Sequence, residues 1–259
     1  MKFTLKDYQR EAVQDALNNL RKARKMWRGE SDRTAFSLSA VTGAGKTVMA
    51  AASFEALFHG DDNFDFEADP GSVVIWFSDD PSLNEQTRFR LLEASDRLAF
   101  TDLVVVQNTF NREKFDAGKI YFLNTQKLGK NSLLVRGYDP ADERAGGRAT
   151  FPELRPDMRS YTIWDTIQNT IEDSTLTLYL VLDEADRLVA DDLLDETQQF
   201  ISLLPRERQT VACSATLGDK ARQRLHQFVS DTAIEITVED REVLHKHIEH
   251  WALFAEGRK

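Results

Sequence analysis

The octapeptide Ala40-Val41-Thr42-Gly43-Ala44-Gly45-Lys46-Thr47, AVTGAGKT, restricts the possible folds of this chain more than any other stretch. It follows Thr34-Ala35-Phe36-Ser37-Leu38-Ser39, a run fit for a strand, and it opens a segment fit for a helix. A glycine-rich turn in that context lets backbone N–H groups point inward at a helix N terminus, where the helix dipole favours an anion. The expected roles follow from this chemistry. Thr42, Gly43, Ala44 and Gly45 would cradle phosphates, Lys46 would contact the β- and γ-phosphates of ATP, and the Thr47 hydroxyl would ligate Mg2+. The first Gly of the usual pattern is Ala40 here.

The rest of the chain alternates strand and helix patterns, which predicts an α/β fold with a central, mostly parallel sheet flanked by helices on both faces. Leu5 to Leu20 carries apolar residues at helical spacing, and Pro81 to Ala99 reads as a further helix. Strands are predicted at Val73–Phe77, Lys119–Leu123, Leu176–Leu182, Gln209–Cys213 and Ala233–Val238. LTLYLVL at Leu176–Leu182 is almost wholly apolar, as in a strand covered on both faces. Two stretches interrupt the rhythm, near residues 59–70 and 136–159, and read as surface insertions. No apolar run approaches the roughly 18 residues a membrane span needs, so the expected location is the cytoplasm, with no membrane partner. The single Cys213 can form no disulfide within the chain.

The net charge is −10, which argues against a protein that binds nucleic acid with its whole surface. The basic residues concentrate in the N-terminal helix, in the run Arg21-Lys22-Ala23-Arg24-Lys25, while residues 61–69 hold five acids and no base. That helix could touch a nucleic-acid backbone or could present a solvated face.

Val181-Leu182-Asp183-Glu184-Ala185-Asp186-Arg187-Leu188, VLDEADRL, supplies the second half of a nucleotide site. A hydrophobic strand ending in an acidic pair delivers both carboxylates to the edge of the sheet where phosphate-binding loops lie. Asp183 is then placed to hold Mg2+ and Glu184 to orient and deprotonate the attacking water. Lys46, Asp183 and Glu184 are the predicted catalytic residues.

Taken in order, these segments resemble the first RecA-like lobe of a superfamily 2 helicase or translocase, a P-loop NTPase lobe of the DEAD/DEAH type. LKDYQREAV at Leu5–Val13 resembles the adenine-reading glutamine motif, AVTGAGKT motif I, VVIWFSDDPSLNEQT at Val73–Thr87 motif Ia, and IYFLNTQKL at Ile120–Leu128 motif Ib. VLDEADRL resembles motif II and CSATL at Cys213–Leu217 motif III. Motifs Ia and Ib here lack the PTREL and TPGR of DEAD-box RNA helicases, and the pattern is closer to the helicase subunit of type III restriction enzymes. The resemblance implies that Gln9 reads adenine, that Ser214 and Thr216 couple the ATP site to strand movement with Asp186 as a partner, and that Gln86, Thr87, Asn124, Thr125 and Gln126 face a nucleic-acid backbone. Asn124 and Thr125 could instead cap a turn. It implies DNA as the polymer, with an RNA helicase lobe as the alternative and a nucleotide-dependent interaction module without turnover as a third reading. A restriction-type context would add a modification methyltransferase subunit as partner.

The chain reads as one domain over residues 1–259. Only residues 217–259 follow Thr216, far fewer than the roughly 150 of a second lobe, so it is expected to be the N-terminal part of a longer motor. The resemblance implies that a second RecA-like lobe supplies an arginine, an effect worth about 10³–10⁵ in rate for arginine fingers generally. The isolated chain is therefore expected to be nearly inactive.

Overall fold

The computed structural model describes residues 1–30, 34–40, 43–128, 132, 134–135, 160–204, 209–215, 217–228 and 234–238. The expected insertion at 136–159 and the residues Thr42 and Thr216 lie outside this set.

Helix α1 spans Asp7–Glu30, ten residues beyond the predicted end, and buries Ala12, Val13, Ala16, Leu17, Leu20 and Ala23 along one stripe. The extension is rich in Arg, Lys and Ala, all good helix formers. Strand β1 (Thr34–Ala40) leads through the glycine-rich turn into α2 (Lys46–His59). Strand β2 (Ser72–Ser78) leads into α3 (Pro81–Ala94), which Asp80 caps by accepting the Ser82 N–H at 2.7 Å, with Pro81 in the first turn. Helix α3 stops at Ala94, short of the predicted Ala99, because Ser95 turns extended and its Oγ accepts the N–H groups of Arg97 (3.1 Å) and Leu98 (2.8 Å). Leu98 still reaches the core, but from a turn.

Strands β3 (Leu103–Val105), β4 (Lys119–Asn124) and β5 (Thr177–Leu182) follow, with α4 (Ile163–Glu172) before β5. A short α5 (Ala185–Leu188), α6 (Leu194–Leu203), β6 (Gln209–Ser214), α7 (Asp219–Phe228) and β7 (Ile234–Val238) complete the set. The seven strands form one sheet in the order β3-β4-β2-β5-β6-β1-β7, with every pairing parallel.

Period-two alternation divides the core. Val74, Trp76, Ile120, Phe122, Tyr179 and Val181 pack against α1, α2 and α3 on one face. Val73, Ile75, Phe77, Tyr121, Leu123, Leu178, Leu180 and Leu182 pack on the other face with Ile163, Ile167, Phe200 and Leu225 from α4, α6 and α7. Helices on both faces explain why β2 and β5 are continuous apolar runs. This is the α/β lobe the sequence predicts.

The acidic segment after α2 is ordered against α1. Asp61 accepts the Asn63 N–H at 2.9 Å and opens a one-turn 3-10 helix at Asp62–Phe64, and Phe64 and Phe66 are buried. The Arg21 and Arg24 guanidinium groups lie 5.6 Å from the Phe66 ring centre, and Arg10 lies 5.9 Å from that of Phe64. These basic residues are thus held by the acidic segment. Among the described residues no helix is long and apolar enough to cross a membrane.

Candidate functional site

Two left-handed glycines shape the loop before α2: Gly43 at φ 88° and Gly45 at φ 87°. Side chains rarely adopt such angles, so glycine is required by the turn itself. At Gly45 there is a second reason, since an added Cβ would strike Gln9 Nε2. Helix α2 begins on Gly45 with no side-chain cap and no acidic residue in its first turn. Its N terminus therefore offers N–H groups that helix geometry leaves without intrahelical acceptors.

The first turn of α1 braces this loop from below. Ala44 is buried, and its carbonyl accepts both the Gln9 carboxamide at 2.8 Å and the Tyr8 hydroxyl at 3.2 Å. Gln9 is 8% exposed, and its Oε1 accepts the Lys6 N–H at 3.0 Å. One N–H of the carboxamide remains for another acceptor.

The acidic pair arrives on β5, beside β2. The Asp183 N–H donates to the Phe77 carbonyl at 2.8 Å, carrying the β2–β5 ladder one residue past Leu182. Burial, and then the adjacent Glu184 carboxylate, push the Asp183 carboxyl above its ordinary range, while Lys46 pulls it the other way. Glu184 sits at φ 49°, a left-handed angle that is costly for a residue with a side chain. Its carbonyl accepts the Arg187 N–H at 2.8 Å and the Leu188 N–H at 3.1 Å, so α5 holds the strained turn in place.

The turn aims Glu184 across the sheet edge, where its Oε1 lies 3.3 Å from Lys46 Nζ. The structure thus brings together Gly43, Ala44, Gly45, Lys46, Asp183, Glu184 and, under the loop, Gln9. Thr47 is half-buried in the first turn of α2. Ser214 is buried at the end of β6, two residues past the Leu182–Ala212 pair and beside the acidic turn. Asp186 is half-buried in α5. The Cys213 thiol, buried behind the pair, is pushed up to about 12 by burial and then by the Asp183 charge.

The motif Ia and Ib residues divide by exposure. Gln86 and Gln126 are exposed and Thr125 is half-buried, whereas Thr87 is 8% and Asn124 1% exposed. Asn124 accepts the Lys127 N–H at 3.2 Å, which is the turn-capping role. Neither Thr87 nor Asn124 presents a surface to a polymer in this conformation.

Sequence reasoning missed the residues that tie these loops together. Asp79, after β2, accepts the Thr125 hydroxyl at 3.2 Å and pairs with Arg187 Nε at 3.4 Å. Arg187 in turn donates to both oxygens of Asp192, at 2.6 and 2.7 Å. The turn after the acidic pair, the loop after β2 and the end of β4 are linked through this set, in which Asp79 and Thr125 are half-buried and Arg187 is exposed. The sequence does not single out Asp79, because Asp-Asp pairs also occur at Asp61-Asp62 and Asp191-Asp192.

A family model described as type III restriction enzyme, res subunit, matches residues 2–219. Among curated proteins, the ATP-dependent RNA helicase DRS1 of Eremothecium gossypii is 40% identical over 75 residues, 27% of this chain and 10% of that protein. The DEAD-box ATP-dependent RNA helicase 10 of Arabidopsis thaliana is 42% identical over 62 residues, 24% of this chain and 14% of its own. Among solved structures, S. cerevisiae Dbp5 bound to RNA and ADP BeF3 is 16% identical with a TM-score of 0.46, covering 92% of this chain and 51% of that one. The chain thus spans a small part of the curated relatives it matches and about half of the structural one.

Proposed function

Because this chain belongs to the type III restriction enzyme res subunit family, we propose that this helicase-type ATPase lobe binds Mg2+-ATP on the Gly43–Thr47 loop and hydrolyses it in response to nucleic acid. One observation carries the reading: Lys46 Nζ and Glu184 Oε1, 138 residues apart in sequence, meet at 3.3 Å in front of the uncapped α2 N terminus. A cation, a carboxylate and a set of oriented N–H groups facing one gap are what phosphoryl transfer to water needs.

The residues fit the cofactor. The N–H groups of Gly43, Ala44 and Gly45 would take phosphate oxygens, with Thr42 adjoining them. Bound phosphate would draw Lys46 away from Glu184 and leave Glu184 free to accept a proton from water. The Thr47 hydroxyl and Asp183 would hold Mg2+, whose charge offsets that of the β- and γ-phosphates. Gln9 would give its remaining N–H to the adenine edge. Asp186, Ser214 and Thr216 are assigned to coupling, and Gln86, Thr125 and Gln126 to the phosphate backbone of a polymer. Thr87 and Asn124 are assigned to shaping that surface from beneath. Turnover by this lobe alone is proposed to be slow, because Lys46 is the cation that meets Glu184 among the described residues.

Of the two polymers, RNA has the better support, since the curated relatives are named RNA helicases. DNA rests on the family's description and on the motif Ia and Ib segments. Fluorescence anisotropy with single- and double-stranded RNA and DNA of one sequence, with and without Mg2+-ATP, separates them. Nucleotide-dependent, salt-sensitive binding that is tighter for RNA is the expected result. Tighter binding of DNA would return the reading to a DNA motor, and no binding of any polymer would favour the interaction module.

A further inference from the structure

Trp76 lies near the middle of β2, paired in register with Val181 and 4% exposed. By position it reads as a core residue, and its ring is used as one: it packs edge-on against Phe54 of α2 at 6.0 Å and tilted against Phe122 of β4 at 6.3 Å. A buried indole must also place its N–H on an acceptor. Here that acceptor is Asp183 Oδ2, at 3.2 Å. The other carboxylate oxygen, Oδ1, accepts the Glu184 N–H at 3.0 Å. The parity of β5 explains the meeting, because Tyr179 and Val181 face the same side of the sheet as Trp76, and Asp183 continues that series.

We infer that Trp76 is a positioning residue for the acidic pair: its indole N–H fixes the orientation of the Asp183 carboxylate and thereby sets how strongly the nucleotide site takes up Mg2+. The inference rests on the reading of Asp183 as the magnesium-holding carboxylate. The chemistry of the donors supports it. Each carboxylate oxygen can accept about two hydrogen bonds, so one neutral donor on each leaves both oxygens able to face a cation. A Lys or Arg in the place of Trp76 would orient the group equally well but would compete with the cation for its charge. An indole N–H orients the carboxylate and leaves the charge in place. Its ring also abuts α2, whose N terminus is the phosphate loop, so one side chain sets the spacing between the loop and the carboxylate.

The test compares nucleotide affinity with and without the metal. For the unsubstituted chain, ADP binding is measured calorimetrically in Mg2+ and in EDTA, and the ratio of the two affinities reports coupling to the metal. Trp76→Phe keeps an aromatic ring and removes the N–H. It is expected to lower that ratio about tenfold, the scale of one hydrogen bond to a charged group, with affinity in EDTA within about twofold of the original. Phe54→Leu loosens the same packing without touching the N–H, and is expected to lower the melting temperature while keeping the ratio. A second readout needs no variant of Trp76. Of the four tryptophans, one indole N–H resonance should shift when Asp183 is replaced by Asn, and the same one should shift on adding Mg2+-ADP but not on adding ADP in EDTA. An unchanged ratio in Trp76→Phe, an equal fall in Phe54→Leu, or no indole signal responding to both changes would overturn the inference. These results leave the ATP site itself standing, whereas absence of nucleotide binding by the unsubstituted chain would remove the site and the inference with it.

Discussion

Glu184→Gln is expected to slow phosphate release from ATP by about 10²–10⁴, the usual contribution of a positioned general base, while ATP stays bound at least as tightly as before. The amide keeps the size and the strained backbone of Glu184 but cannot accept a proton from water. It also removes the negative charge that Lys46 faces at 3.3 Å, so the ammonium is held less strongly and is more available to phosphate. The measurement is phosphate release at saturating ATP over long incubations, paired with equilibrium binding of labelled ATP. Turnover unchanged by the substitution would mean that the base is another group.

Gly45→Ala is expected to cost roughly 2–5 kcal/mol of folding stability. About 1–2 kcal/mol comes from forcing a side chain into the left-handed region. A further ~1–3 kcal/mol comes from the buried Gln9 carboxamide, which the new methyl would displace from the Ala44 carbonyl. At about 2–4 °C per kcal/mol for a chain of this size, the melting temperature should fall by roughly 4–20 °C, and nucleotide binding should fall with it because Gln9 and the loop move together. Gly43→Ala is the comparison: it carries the same positive φ but an added Cβ there meets nothing within 4 Å. Equal losses for the two would show that the contact with Gln9 contributes nothing beyond backbone strain.

How much of this was legible in the sequence depended on how local the determining physics is. The loop before α2 was readable because its chemistry is local: two glycines, a lysine and a threonine between a strand and a helix. Strands β2 and β5 were readable because burial on both faces leaves no polar interruption in SVVIWFS or TLYLVL. The end of α3 was not, since Leu98 keeps apolar spacing while Ser95 diverts the backbone through hydrogen bonds to its own side chain. Strand β3 has three residues, too few to show a period. The roles of Asp79, Arg187 and the Trp76 N–H depend on which strands lie side by side, and the order β4-β2-β5 is a tertiary fact. The same holds for Thr87, which packing buries where the resemblance implies a polymer, whereas Asn124 takes the turn-capping role that the sequence also allows. By sequence alone the basic run in α1 fits a nucleic-acid contact or a solvated face, whereas in the fold Arg21 and Arg24 face Phe66 and donate to the backbone carbonyls of the acidic segment.

Lys46, the loop before it and the acidic pair act together only if they form a single nucleotide site. Equilibrium binding of Mg2+-ATP to the chain and to its Lys46→Ala variant tests this most directly. Measurable binding by the unsubstituted chain is expected, weakened about 10- to 100-fold by removing the ammonium, as for charge-assisted hydrogen bonds to phosphate, with the fold intact by circular dichroism. Equal affinity in the two proteins, with both folded, would contradict it.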